Sequence, residues 1–478
     1  MPAFRQSRIF KETHNPFESM QFRSIPVSSF RKSDTATVLA LDKSWPLIRM
    51  FGEPMLKKLL ALVVLAAHPL VAQTVVAQNM IALRAGNIID PAKGTVARNQ
   101  MILVDQGKIK AIGPNPVIPE GTPIVDLSSE WVTVGLIDAH VHLTLAIGAG
   151  GSAPFESFYL KESSTYRGLR GLRNAQELLR AGFTAVRDLG NGANYAVEDV
   201  RRAIQAGLFD GPTIVTSGKI IAPFGGQSNA IPPEQGPFWR YEYIDADSPE
   251  EVRKAVRQNI YYGADVIKLV ADNSPSYYSE EEIRAAVEEA HRAGRAVAVH
   301  VYGGESAKNV IDAGVDSLEH GFFLTDEQLQ KMKDKGIFLV GTDTPRAQLD
   351  VVGTAGGIFP PPEVLGPKVV DRLRRAYRIG VKMAFGTDTA IELPNKTRPD
   401  LMFDFLKVWR EAGIPAAEIL KCMTTNAAEL LQINQQRGAI APGLAADIIA
   451  MPSNPLEDIE SLRKINFVMK DGKIIRRP

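Results

Sequence analysis

The sequence predicts an α/β protein: a (β/α)8 TIM-like barrel carrying a small β-sandwich domain formed from both chain ends. Two observations predict it. Eight short apolar runs recur through the middle of the chain, most of them followed by an amphipathic stretch, and strand-like segments flank that middle on either side. The length of 478 residues suits a barrel with a satellite.

The apolar runs are Trp131–Asp138, Thr184–Asp188, Thr213–Ser217, Asp265–Val270, Ala296–His300, Ser317–His320, Ile337–Val340 and Lys382–Phe385. Helical candidates between them are Thr165–Ala181, Pro249–Tyr262, Glu280–Ala293, Thr325–Lys335 and Lys368–Ile379. Alternation of this kind is what a closed parallel barrel requires, and no glycine-rich phosphate loop follows the first run, which argues against an open doubly wound sheet. The barrel is expected over 133–435. The small β domain is expected from 80–132 with 436–478, on runs such as Gln100-Met-Ile-Leu-Val-Asp105 and Phe467-Val-Met-Lys-Asp-Gly-Lys-Ile-Ile475.

The start of the chain reads differently. Residues 1–54 lack sustained periodicity and are expected to be a disordered or non-native extension. Met55-Leu-Lys-Lys58, an apolar run from Leu59 to Ala67 and alanines at Ala72 and Ala77 form a signal-peptide pattern over 55–77. Translation from Met55 and export to the periplasm or medium are therefore expected. The apolar run is short for a membrane span, so the mature form is expected to have none.

Composition narrows the chemistry. The chain is 45% hydrophobic and 23% charged with a formal net charge of +1, which gives no reason to expect nucleic acid or an anionic membrane as partner. The expected partner is a small-molecule substrate, with homo-oligomerisation left open. Cys422 is the single cysteine, which excludes an internal disulfide and any cysteine-based zinc site.

Histidine is more informative. Of the seven, five follow the signal segment, and four of those fall at the ends of predicted strands. His140 and His142, two apart at the end of the first run, share a face and can close on one ion. His300 and His320 end the fifth and sixth runs. His291 lies in a predicted helix and is expected to be solvated. Lys268 sits inside the apolar fourth run, where a cation is costly to bury; a neighbouring carboxylate or conversion to an anionic carbamate would relieve it, and snorkelling to solvent is the plain alternative. An aspartate follows each of the last two runs, Asp343 and Asp388, and spacing does not choose between them. Nitrogen and oxygen donors of this kind suit zinc, and also manganese, cobalt or nickel. Such a metal lowers the pKa of bound water to about 7, and an adjacent aspartate can move the proton.

These residues, in this order, together with Thr424-Thr-Asn-Ala-Ala-Glu-Leu-Leu431 and Gly438-Ala-Ile-Ala-Pro-Gly-Leu-Ala-Ala-Asp447, resemble the amidohydrolase superfamily over roughly 80–478. Within it the chain is most similar to the imidazolonepropionase-like group that includes Xaa-Pro dipeptidases. The resemblance implies two divalent ions, expected to be zinc. His140 and His142 would sit on one ion, His300 and His320 on the other, with carbamylated Lys268 bridging and Asp388, rather than Asp343, as ligand and proton shuttle. It implies that Tyr302 helps polarise the scissile carbonyl. Two positions depart from the pattern: Val134 stands where proline is usual, and Gly225-Gly-Gln227 stands where dipeptidase relatives carry a substrate-contacting histidine. Gln227 can still hydrogen-bond substrate but cannot carry charge. The expected activity is hydrolysis of an amide in a dipeptide or N-acyl amino acid. A lactonase or cyclic-amide hydrolase on the same metals, and a metal-loaded protein without activity, are the alternatives.

Overall fold

The computed structural model describes residues 80–148, 156–190, 192–228, 232–272, 276–356 and 360–478, all within the compact unit Thr74–Pro478. The expected extension and signal segment lie outside the described residues. Among those described, no helix is long and apolar enough to cross a membrane.

Both chain ends contribute to one seven-stranded sheet. Its order is Lys473–Arg476, Phe467–Lys470, Ile448–Met451, Ile124–Val134, Met80–Asp90, Thr95–Asp105 and Lys108–Gly113. The ends meet where Ile448 pairs antiparallel with Val134. The far edge bends back toward the C-terminal segment, since Ile109 N–H donates to the Leu444 carbonyl at 2.9 Å and Ala446 N–H to that of Gly107 at 2.8 Å. The sheet thereby encloses its own apolar cluster, with Leu83, Ile102, Leu127, Ile448 and Phe467 at its heart. Where a sandwich was expected, the pairing describes this single curled sheet.

The middle of the chain forms parallel strands. Leu136–Val141, Phe183–Asp188 and Thr213–Thr216 pair in that order. A second set runs Tyr243–Asp245, Ile220–Ala222, Val266–Val270, Ala296–Gly303, Ser317–Phe323 and Phe338–Val340. Leu136–Val141, Phe183–Asp188 and Val266–Val270 are buried at every position, as parallel strands covered on both faces must be. The two sets touch where Asp265 N–H donates to the Thr216 carbonyl at 2.7 Å. The expected eighth strand, 382–385, forms a single bridge, Met383 to Leu339. Its backbone still reaches both neighbours, with Leu339 N–H on the Lys382 carbonyl at 2.8 Å and Ala139 N–H on that of Phe385 at 2.8 Å.

The expected helices appear as Ser164–Arg180, Pro249–Tyr261, Glu280–Arg292, Asp326–Lys335 and Pro362–Ile379. Ser163, Ser248, Ser279 and Thr325 cap the first four through their side-chain oxygens, the last two in reciprocal capping boxes. The fifth begins earlier than expected and carries Pro367 inside it. Ala196–Gln205, Gly304–Ala313 and Arg398–Glu411 are additional helices.

Glu198, on the first of these additional helices, gives a stability prediction. It is buried; its Oε1 accepts the Thr216 hydroxyl at 3.0 Å, and its Oε2 has no hydrogen-bond partner among the described residues. Burial pushes its carboxyl up to about 7 from an ordinary 4.5. The unfolded chain therefore releases this proton first, so the group's contribution to stability falls as pH rises from 4.5 to about 7 and is flat above. Glu198→Gln should stabilise the protein at pH 8 by ~1–3 kcal/mol, with the gain vanishing near pH 4. Urea unfolding at both pH values checks this; an equal difference at the two would refute it.

Candidate metal centre

The predicted residues converge at the C-terminal ends of the parallel strands. His140 comes from Leu136–Val141, His300 and Tyr302 from Ala296–Gly303, and His320 from Ser317–Phe323. Ring centroids of His140 lie 5.3 Å from those of both His142 and His320, and His300 is 4.4 Å from His320. Asp388 Oδ1 is 3.0 Å from His142 Nε2 and 3.7 Å from His140 Nε2. Among the described residues His140, His320 and Asp388 present ligand atoms within 4.8 Å of one another.

Three of the four rings are aimed by an outer hydrogen-bond partner. His140 Nδ1 meets Glu319 Oε2 at 2.7 Å, and His142 Nδ1 meets the Gly190 carbonyl at 2.8 Å. A carboxylate and a carbonyl accept only, so both imidazoles carry the proton on Nδ1 and turn an Nε2 lone pair to the centre. His320 Nδ1 is held by the Thr342 hydroxyl at 2.7 Å. His300 Nε2 has no hydrogen bond among the described residues and faces Asp272 Oδ1 at 3.5 Å, while Asp272 Oδ2 accepts the Tyr302 N–H at 2.7 Å. Donor type, tautomer and convergence fit a divalent cation with nitrogen and oxygen ligands.

Burial sets the charge states. It lowers His140 to about 4, helped by Lys268, and holds His300 and His320 far below the ordinary imidazole value, leaving neutral lone pairs. His142 moves up, because Asp388 outweighs the opposing effect of burial. Burial also opposes ionisation of Asp388, but His140, His142 and Lys268 together hold its carboxyl well below the usual range. Lys268 is buried, pushed down to about 8 by loss of hydration, and makes no hydrogen bond or ion pair among the described residues.

The backbone is strained here. His320, Thr342 and Asp388 have φ of 72°, 43° and 54°, each costing about 1–3 kcal/mol in a non-glycine residue. Gly386 allows the close approach that brings Asp388 in, since a Cβ there would lie 2.4 Å from Val340 and 2.9 Å from the His140 Cβ.

Asp343 plays another part. It is buried and ion-paired to Arg372 at 2.9 Å, itself fully buried. His291, expected to be solvated, is exposed and bonds Asp316 Oδ2 at 2.7 Å. Gln227 lies on the loop after Ile220–Ala222, its Oε1 accepting the Tyr243 hydroxyl at 3.2 Å. Gly226 rests on the Tyr243 ring, which a Cβ would meet at 2.7 Å.

The sequence signature of the amidohydrolase family matches residues 131–475. The chain belongs to the amidohydrolase family. It is a hydrolase of the class acting on carbon–nitrogen bonds, and it is 31% identical over 455 residues to an ochratoxinase of Aspergillus niger, covering 87% of this chain and 90% of that one. Among solved structures it is similar to an Xaa-Pro dipeptidase with bound methionine in the active site, at TM-score 0.73 and 30% identity, covering 83% of this chain and 100% of that one. A prolidase complexed with N-methylphosphonate-L-proline matches at TM-score 0.73 and 28% identity, over 84% of this chain and 100% of that one. These neighbours have a TIM-barrel-like fold, in keeping with the mixed α/β content here.

Proposed function

We propose that this amidohydrolase is a binuclear metal enzyme that cleaves the amide bond of a dipeptide or N-acyl amino acid. The observation that carries the reading is the Asp388 carboxylate set 3.0 Å from His142 Nε2 and 3.7 Å from that of His140, two rings whose tautomers are fixed from outside. His140 and His142 would hold one ion and His300 and His320 the other. Lys268, buried without a hydrogen bond or ion pair among the described residues, would bridge them as its carbamate, and Asp388 would complete the set. The ions, zinc or a similar divalent metal, would supply hydroxide near neutral pH and draw electron density from the substrate carbonyl.

The protein's own groups do the rest. Asp388 takes the proton released by the attacking water and delivers it to the leaving nitrogen as the carbon–nitrogen bond breaks, giving a carboxylic acid and an amine. Tyr302, whose phenol burial keeps protonated, donates to the developing oxyanion. Gln227 has its oxygen engaged by Tyr243, so it offers amide hydrogens to a substrate oxygen. We also propose a closed eight-stranded barrel over 133–435, the small β domain from 80–132 and 436–478, and export after removal of 55–77.

Purified protein assayed against dipeptides, N-acyl amino acids and lactones, with elemental analysis, tests the reading. Amide turnover that stops on chelation and returns with zinc, manganese or cobalt is expected. Turnover of lactones alone would favour the lactonase reading, and full activity after complete metal removal would end the proposal.

A further inference from the structure

Arg398 stands in a place that disfavours it on three counts. It is the first residue of the helix Arg398–Glu411, capped by Thr397, where a cation meets the positive end of the helix dipole. It is 6% exposed, so the guanidinium has lost its hydration. It makes no ion pair among the described residues. Its partners are three backbone carbonyls: His142 at 3.0 Å and Thr389 at 2.7 Å on Nη1, and Leu145 at 2.6 Å on Nη2. Burial lowers its pKa to about 10, which leaves it charged at neutral pH.

Those carbonyls belong to two segments far apart in sequence. One is the irregular turn after the first strand, beginning at His142; the other is the residue that follows Asp388. Side chains from several elements fix the turn. Asp188 Oδ2 accepts the Leu143 N–H at 2.7 Å, Asn174 Nδ2 donates to the Leu143 carbonyl at 2.8 Å, and Arg170 donates twice to that of Thr144 at 3.0 and 2.7 Å. The two segments also meet directly, with Asp388 N–H on the His140 carbonyl and Ile147 N–H on that of Ala390, both at 2.7 Å. Asp138 Oδ1 accepts from His140 N–H at 2.9 Å and Thr387 N–H at 3.2 Å. Among the described residues, Arg398 is the side chain that bonds the carbonyls of both His142 and Thr389.

We propose that Arg398 is a positioning residue that staples the His142 turn to the Asp388 segment and thereby sets the metal affinity of the centre. The inference rests on the metal reading above. A planar guanidinium directs donors along fixed, divergent lines and so bridges carbonyls from two chain segments; a lysine ammonium supplies donors from one point and reaches fewer of them. Retention of a buried, unpaired cation at a helix N-terminus is explained by the geometry it imposes between His142 Nε2 and Asp388 Oδ1, 3.0 Å apart. Tyr302 and Gln227 lie on elements that Arg398 does not bond, so substrate contacts are separable from its effect.

The test titrates metal-free protein with cobalt(II), following the visible absorption of the bound ion, in the parent and in Arg398→Lys, Arg398→Met and Arg170→Met. Arg398→Met should raise the cobalt dissociation constant about 10–100-fold, alter the absorption bands, and lower kcat with KM unchanged. Arg398→Lys should fall between it and the parent, and it decides the matter if the methionine variant does not fold. Arg170→Met, which frees a carbonyl of the same turn without touching the Asp388 segment, should bind cobalt as the parent does. Parent-like cobalt affinity and spectrum in a folded Arg398→Lys or Arg398→Met protein would reject the staple. So would an equal loss in Arg170→Met, because general loosening of the turn would then explain it. A parent that binds no cobalt would instead remove the metal reading itself, a separable failure.

Discussion

Asp388→Asn should lower kcat by roughly 10²–10⁴-fold, about 2.7–5.5 kcal/mol of barrier, with KM little changed. Asparagine keeps the size of the side chain and tolerates the left-handed backbone, φ 54°, that Asp388 adopts. The amide cannot take up a proton, and it removes the negative charge 3.0 Å from His142 Nε2. Alanine would be a poorer probe, since it would add strain at that φ and leave a void beside two imidazoles. Amine release gives the rate, and metal content of the same sample separates lost proton transfer from a lost ligand. A variant that keeps its metal and turns over within about tenfold of the parent would show that another group moves the proton.

The strand–helix alternation was legible because the central strands are buried on both faces and their helices carry clear caps, so apolar runs and Ser or Thr before acidic turns mark both kinds of element. His140 and His142 were legible through their two-residue spacing. Glu319 was not. Strict alternation puts adjacent strand residues on opposite faces, yet both Glu319 and His320 bond toward the site, because φ of 72° at His320 breaks the alternation. Asp272 had a usable signal, lying two and four positions beyond Val270 and Lys268 on one face of an extended chain. Arg398 had none: its partners are carbonyls, which no residue type advertises. The two aspartates that spacing left level differ in their surroundings: Asp343 is ion-paired to buried Arg372, whereas Asp388 lies beside His140 and His142. The run Lys382–Phe385, expected as an eighth strand, forms one bridge, and the Phe385 N–H turns to the Cys422 carbonyl at 3.0 Å.

Glu319→Leu should destabilise the protein by about 3–5 kcal/mol and separately weaken metal binding. Glu319 is fully buried and accepts from Arg187 Nη2 at 2.9 Å, Ser317 Oγ at 2.5 Å and His140 Nδ1 at 2.7 Å. Leucine leaves the Arg187 guanidinium, 1% exposed, without its counter-ion. It also leaves His140 free to turn, because the acceptor that fixed its Nδ1 is gone. The two losses part company in a double variant. Arg187→Met with Glu319→Leu removes the orphaned cation and should recover much of the stability, as apolar replacements of buried pairs do. Metal affinity should stay low in it, since His140 still lacks its acceptor. Urea unfolding of metal-free protein and cobalt titration measure the two quantities independently. If the double variant were destabilised by the sum of the single losses, Arg187 and Glu319 would not act as a coupled pair. If it also bound cobalt as the parent does, the orientation of His140 would not depend on Glu319 at all.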